Sequence, residues 1–379
     1  MGDRDTAFPD FASGDEMKVS DYIAGVIGSY CPFVVQGGAA VHMIDSLPRY
    51  ICCAHEQGAG FAADGYAKKK GLGVAVTTCG PGATNLLTAA ASAYFESVPV
   101  LYLVGQQHGF QELDVVGMFK SVTHYAECVT SSEDLPAMLD EALNTAIKTL
   151  GPVLLNIFDE VYHGTTNEVP KPFRFDVDGV LRNHWSASDT KHIFSKARNE
   201  PGDSLPYRFM KQLNHHACTI VTDIGDHGVW VKQTSRTHVI TDNRFGAMGY
   251  AIAASMGVAE ATNSLIDGPV VCINGDGGIQ MNIQELATIA KHNMDIKIFI
   301  LNNGGYGMIR NTQDVWLKGR HKGCDLEDLP LVDFERVATA YGIPNRRWDF
   351  EEDFDFKEVL EWEGPILVNV RIDPSEKVL

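Results

Sequence analysis

Two short motifs, each directly behind an apolar run, carry the residue types of a metal-and-phosphate site. Gly275-Asp276-Gly277 follows the run Val270–Asn274, and Asn302-Asn303 follows Ile296–Leu301. Asp276 and Asn303 lie 27 positions apart (303 − 276), which one strand, helix and strand unit fills. Both oxygens are then expected at the carboxyl ends of neighbouring parallel strands, the edge where open α/β sheets hold ligands. A carboxylate, an amide oxygen and a carbonyl from the Gly304-Gly305 turn make half of an octahedral Mg²⁺ shell, leaving room for a water and phosphate oxygens. Glycines beside them let the backbone approach a diphosphate, and a following helix N-terminus adds a positive dipole. Either motif alone is a common turn; their joint placement behind two strands is the specific signal. No GxGxxG follows any of these strands and no P-loop is present, so a Rossmann or P-loop site is a poor alternative.

The elements that must position these residues read as α/β. Apolar runs of strand length alternate with helical patterns, the sign of parallel sheets covered by helices on both faces. In the first half, strands are predicted at Phe33–Val35, Val74–Thr78, Val100–Val104 and Val153–Phe158, with helices from near Gly58, from near Gly82 and across Leu135–Leu150. Lys68-Lys69-Lys70-Gly71 reads as a helix C-terminus with cations at its negative end rather than as a basic patch. The periodic pattern lapses between about Gly164 and Ser204 and then resumes. Strands are predicted at Thr219–Asp223, His238–Thr241, Val270–Asn274, Ile296–Leu301 and Ile366–Ile372, with one long helix from about Met281 to Lys291. The acidic stretch Asp349–Glu363 is expected to be a solvated helix face. Two doubly wound domains joined by a long linker are the expected architecture: a leader or tag over 1–16, domains at 17–163 and 205–379, and the linker at 164–204.

Composition narrows the function classes. The chain has 379 residues with 31 Lys plus Arg against 49 Asp plus Glu, a net charge of −18, and no segregated basic stripe, which argues against nucleic-acid binding. No apolar run approaches membrane-spanning length, so a soluble, cytoplasmic protein is expected. The eight cysteines form no CxxC pair and read as reduced core thiols; the 13 histidines show no HExxH or other ligand spacing.

The segment Gly275 to Asn303 (GDGGIQMNIQELATIAKHNMDIKIFILNN) resembles the cofactor signature of thiamine-diphosphate-dependent enzymes, specifically of the acetolactate synthase branch. The segment beginning AHEQGAGFAADGYA at Ala54 is similar to the pyrimidine-binding domain of the same branch. The resemblance implies a pyrimidine-binding first domain, a diphosphate-binding second domain, and thiamine diphosphate with Mg²⁺ as cofactors. It carries Glu56 onto the glutamate that hydrogen-bonds N1′ of the aminopyrimidine and so promotes loss of the thiazolium C2 proton, a task suited to a buried carboxyl. Asp276, Asn303 and the Gly305 carbonyl match the metal ligands. His227 matches a diphosphate contact, and Met248, behind Gly246, matches the apolar wedge under the cofactor. Gly275, Gly277, Gly278, Tyr306, Gly307 and Met308 complete the expected diphosphate side; Gly80-Pro81-Gly82 and Gln106 belong to the pyrimidine side. Gly37, Gly38, Phe110, Gln111 and Thr312 are the candidate substrate residues. The resemblance also implies a homodimer or homotetramer with active sites at the subunit interface, and a small 2-oxo acid as substrate.

Two departures from the branch stand out. Its members carry a middle domain, which holds FAD in most of them, where this chain has only the linker; FAD is therefore not expected. Behind Gly307-Met308-Ile309-Arg310 the branch places a tryptophan that helps choose the second oxo acid, and here the residue is Thr312. The expected reaction is decarboxylation of pyruvate with carboligation to a second 2-oxo acid, giving 2-acetolactate. The alternatives are simple 2-oxo acid decarboxylation, or carboligation to a keto sugar as in a similar sub-branch from polysaccharide clusters.

Overall fold

The computed structural model describes residues 16–175, 205–216, 218–235, 237–262, 268–330, 332–349 and 354–376. All of the expected leader except Glu16, and positions 176–204 of the expected linker, lie outside the described residues. The chain divides into two compact units, Met1–Val177 and Asp178–Leu379.

The first unit holds β1 (Met17–Lys18), β2 (Phe33–Val34), β3 (Ile51–Cys52), β4 (Gly73–Thr77), β5 (Val100–Gln106), β6 (Tyr125–Val129), β7 (Val153–Phe158) and β8 (Thr165–Thr166). Six of these form one parallel sheet in the order β3-β2-β4-β5-β7-β6. The small antiparallel pair β1 and β8 draws Thr165 and Thr166, inside the stretch expected to be linker, onto the first unit. The second unit holds β9 (Thr219–Thr222), β10 (Val239–Thr241), β11 (Val270–Gly275), β12 (Ile296–Asn302), β13 (Asn345–Asp349) and β14 (Ile366–Arg371), in the order β10-β9-β11-β12-β14-β13 and parallel throughout. Counted within its own unit, each sheet runs 2-1-3-4-6-5, so both change winding direction between their first and third strands. That switch point opens a crevice at the carboxyl edge.

Central strands are buried on both faces because helices cover them, so they read as mainly apolar runs: every residue of Val153–Phe158 and of Ile296–Asn302 is buried, including Asn156 and Lys297, whose ammonium group donates to the Gly364 carbonyl at 2.8 Å. The strands that sequence reading missed are short or polar. Ile51–Cys52 has two residues, and Tyr125–Val129 and Asn345–Asp349 are edge strands with exposed positions. Lys70 ends the helix Glu56–Lys70 and Gly71 follows in the left-handed region with φ 88°, as the Lys-Lys-Lys-Gly run predicts. Lys68 departs from that reading. It is buried, with Nζ 2.8 Å from Asp64 Oδ1, one turn back on the same helix.

The long helix expected from about Met281 to Lys291 begins only at Glu285 and ends at Lys291, and a separate short helix, Asp276–Ile279, precedes it. Asn282 breaks the run, its side-chain amide donating to the Gly249 carbonyl at 3.0 Å, and so ties the break to the neighbouring loop. Among its described residues the acidic stretch holds Asp349 at the end of β13 and the short helix Phe356–Leu360, exposed at Lys357 and Glu358 and buried at Phe356, Val359 and Leu360; residues 350–353 lie outside the described residues. Phe356 joins Phe209, Phe299 and Trp348 in the aromatic core of the second unit, with the Phe209 and Phe299 ring centroids 5.3 Å apart. Each such ring contributes on the order of 2 kcal/mol by leaving water. No disulfide joins the eight cysteines, most of which are buried. Among the described residues no helix is long and apolar enough to cross a membrane.

Candidate functional site

In the second unit, the carboxyl ends of β9, β11 and β12 open into a cavity of about 260 Å³, close to the lower end of the size range of small-ligand pockets. Twelve residues singled out from the sequence line it. They are the expected ligands Asp276, Asn303 and Gly305; His227, Gly246 and Met248; Gly275, Gly277 and Gly278; and Tyr306, Gly307 and Met308. Thr312 is not among the lining residues. It sits one turn along the helix Gly307–Leu317, its hydroxyl donating to the Met308 carbonyl at 2.9 Å.

Asp276 follows β11 and is buried. Its Oδ1 accepts the Gly277 N–H at 2.9 Å and its Oδ2 accepts the Gly305 N–H at 2.8 Å, which pins the loop behind β12 to the end of β11. Burial nevertheless pushes its carboxyl up to about 6, against the backbone hydrogen bonds and the nearby Arg310 cation that pull it down. Gly305 has φ 152°, and a Cβ there would stand 2.2 Å from the Cys324 carbonyl oxygen, so only glycine fits. Arg310 fixes the other side: Nη2 donates to the Asn303 carbonyl at 3.0 Å, Nη1 to the Pro374 carbonyl at 3.1 Å, and Nε pairs with Asp325.

His227 is buried in the helix Asp226–Thr234, and its Nε2 has no hydrogen-bond partner among the described residues. Burial, aided by the Lys232 charge, holds the imidazole neutral by pushing it down to about 3. Both carboxylate oxygens of Asp226 likewise lack partners. Two further carboxylates shape the loop that carries Met248. Asp242 accepts the N–H groups of Phe245, Gly246 and Ala247 at 3.2, 3.1 and 3.0 Å, and Asp223 accepts that of Gly249 at 2.7 Å. Asp223 is fully buried and its carboxyl is pushed up to about 7 by that burial. Sequence reading passed over Asp223, Asp226, Asp242 and Arg310. The available signal was position, since Asp223 and Asp242 directly follow strands at the sheet edge that holds the other candidates.

These residues fit a diphosphate held through a hard divalent cation. Carboxylate, amide and carbonyl oxygens converge on a cavity whose walls also carry buried polar atoms awaiting partners, and the glycines leave the backbone open to phosphate oxygens.

The first unit gathers its candidates at the equivalent edge. Glu56 opens the helix Glu56–Lys70 and is half-buried within this unit; the Asn85 side-chain amide of the following helix donates to its Oε2 at 3.0 Å. Gly82 lies beside it, since a Cβ there would stand 3.6 Å from Glu56 Oε1. Pro81 opens the helix Pro81–Glu96 behind Gly80, whose φ is 58° and whose Cβ would stand 2.8 Å from that of Gln111. Gln106 ends β5, buried, its Nε2 donating to the Leu113 carbonyl at 3.4 Å. Gly37 packs against Thr78, while Gly38 comes no closer than ordinary contact to Gln107. Phe110 is 70% exposed, so it does not pack into the core of this unit.

Residues 17–126 match the family described as "Thiamine pyrophosphate enzyme, N-terminal TPP binding domain", and residues 223–370 match "Thiamine pyrophosphate enzyme, C-terminal TPP binding domain". The chain is 25% identical to the acetolactate synthase isozyme 2 large subunit of Escherichia coli (strain K12) over 516 positions, covering 91% of this chain and 93% of the relative. It is 25% identical to the acetolactate synthase of Arthrospira platensis over 534 positions, covering 91% and 92%. With the acetolactate synthase large subunit of Lactococcus lactis subsp. lactis (strain IL1403) the identity is 25% over 525 positions, covering 92% and 90%. Each alignment is longer than the 379 residues of this chain, so these relatives carry long stretches without a counterpart here.

Proposed function

This chain belongs to the thiamine pyrophosphate enzyme family, and we propose that it decarboxylates pyruvate and joins the two-carbon unit to a second 2-oxo acid, giving 2-acetolactate. It is an enzyme of the thiamine-dependent carboligase or lyase type with two thiamine pyrophosphate-binding domains. The observation that carries the reading is the convergence of Asp276, Asn303, Gly305, His227 and Met248 on one cavity of the C-terminal domain.

Thiamine diphosphate supplies the electron sink for breaking the bond beside a 2-oxo acid's carbonyl. The chain's own groups bind, orient and move protons. Asp276, the Asn303 side chain and the Gly305 carbonyl hold Mg²⁺, which neutralises the diphosphate. Neutral His227 donates from Nε2 to a phosphate oxygen, an interaction open to it because that atom has no protein partner among the described residues. Met248, fixed through the Asp223 and Asp242 hydrogen bonds, is the apolar support beneath the cofactor. Glu56 holds the proton at the aminopyrimidine N1′. The active unit is a homodimer.

The absence of a counterpart to the relatives' extra stretch favours a second reading, simple decarboxylation with release of an aldehyde. Thr312, where the branch places a bulkier tryptophan, favours a third, a keto-sugar acceptor. NMR of the purified chain with thiamine diphosphate, Mg²⁺ and ¹³C-pyruvate, without FAD, tests the assignment. Acetolactate or its breakdown product acetoin is expected; acetaldehyde alone would replace the carboligase by the decarboxylase, and turnover only with an added keto sugar would establish the third.

A further inference from the structure

One buried charged group at this site has no role in that account. Asp226 is 5% exposed, lines the cavity, and neither of its carboxylate oxygens has a hydrogen-bond partner among the described residues. Burying a carboxylate without partners is strongly unfavourable, so such a group marks a place where a bound species supplies the missing contacts. The Arg310 cation acts on Asp226 by its charge but donates no hydrogen bond to it: its guanidinium is engaged with the Asn303 and Pro374 carbonyls and with Asp325.

Resting on the cofactor reading above, we propose that Asp226 is an additional oxygen donor to the cation that holds the diphosphate, so that this metal site carries two carboxylates, Asp226 and Asp276. A Cβ built on Gly307 would stand 2.4 Å from Asp226 Oδ2 and 2.5 Å from Asn303 Nδ2, so these two atoms are at most 4.9 Å apart, the sum of the two distances. The bare backbone at Gly307 leaves the gap between them open. An octahedral Mg²⁺ with bonds of roughly 2.1 Å spans donors up to about 4.2 Å apart, so a small side-chain adjustment lets one ion bridge the Asp226 carboxylate and the Asn303 amide. Turning that amide presents its oxygen in place of its nitrogen. Asp226 also opens the nine-residue helix Asp226–Thr234, whose positive end stabilises a carboxylate waiting for its cation. Hard divalent cations, Mg²⁺, Mn²⁺ or Ca²⁺, are the class such oxygen donors take.

The proposal has a two-signed consequence. Without a cation, Asp226 repels the diphosphate; with one, it strengthens the bridge to it. Asp226→Asn keeps the shape and removes the charge. Titration calorimetry of thiamine diphosphate with wild type and variant, in EDTA and in Mg²⁺, is the test, alongside electron paramagnetic resonance of Mn²⁺ binding to the protein alone. In EDTA the variant is expected to bind the cofactor more tightly than wild type; in Mg²⁺ it is expected to bind about tenfold more weakly, with Mn²⁺ affinity lowered by about the same factor. Asp226→Ala is expected to show the same reversal, which guards against a folding defect particular to one variant. Tighter cofactor binding by the variants in both conditions, or unchanged Mn²⁺ affinity, overturns the role of Asp226 while leaving the cofactor site standing. Failure of wild type to bind the cofactor in either condition overturns both.

Discussion

Asp276 Oδ2 accepts the Gly305 backbone N–H at 2.8 Å, and this hydrogen bond joins the carboxyl ends of two adjacent parallel strands, β11 and β12. The expected metal ligands are thus held by one another as well as by the sheet. Asp276→Ala removes both a proposed ligand and the brace on the 303–305 loop. Mg²⁺-dependent retention of thiamine diphosphate is expected to fall by a factor of about 100 or more, measured by calorimetry. Unchanged affinity would count against the metal assignment.

Acid has opposite effects on the free protein and the loaded one. Burial raises the carboxyls of Asp223 to about 7 and of Asp226 and Asp276 to about 6, from 3.8. Between those values the folded chain keeps protons that the unfolded chain has released, so stability from these groups grows as pH falls through 7 and then 6. His227, lowered from 6.5 to about 3, opposes this, because below 6.5 the unfolded imidazole takes up a proton that the folded one refuses. His42, His124 and His292, also lowered by burial, oppose it in the same sense, and the large carboxyl shifts, that of Asp223 above all, set the net sign. In EDTA the melting temperature is expected to be higher near pH 5.5 than near pH 7.5, while the stabilisation added by Mg²⁺ and cofactor is larger near pH 7.5, where the ligands are ionised. Scanning calorimetry at both pH values checks the two signs.

Gly307→Ala tests the open gap between donors. Its methyl group would sit 2.4 Å from Asp226 Oδ2 and 2.5 Å from Asn303 Nδ2, so the donors must separate. Cation and cofactor binding are expected to weaken about tenfold. The melting temperature without ligand should change little, since alanine suits a helix start.

A control lies in the first unit. Lys68 and Asp64 are buried and paired at 2.8 Å, so Lys68→Ala takes the cation away from a buried carboxylate. Denaturant unfolding should show a loss of about 3 kcal/mol or more.

The main-chain frame of the site was legible because it is local. A mainly apolar strand ending in Gly-Asp-Gly, and another ending in Asn-Asn, announce themselves without knowledge of their neighbours. Asp223, Asp226 and Asp242 do not, because an aspartate behind a strand reads as an ordinary turn former. What distinguishes Asp223 is a partner 26 positions away, Gly249, and what distinguishes Asp226 is the lack of any partner among the described residues. The same limit explains the edge strand Asn345–Asp349, whose polar composition suits one solvated side, and the broken helix at Asn282, which depends on the distant Gly249 carbonyl. Glu56 was legible by resemblance alone, since a glutamate that opens a helix is otherwise an ordinary first-turn acid.

The central claim is that this chain activates thiamine diphosphate through Glu56. Exchange of the cofactor's C2 proton for deuterium, followed by ¹H NMR after rapid acid quench, tests it most directly. The account predicts exchange far faster on wild type with Mg²⁺ than for free cofactor, and a fall of at least about 100-fold in Glu56→Gln with cofactor binding retained. Exchange at the free-cofactor rate on wild type, or rapid exchange in Glu56→Gln, would contradict it.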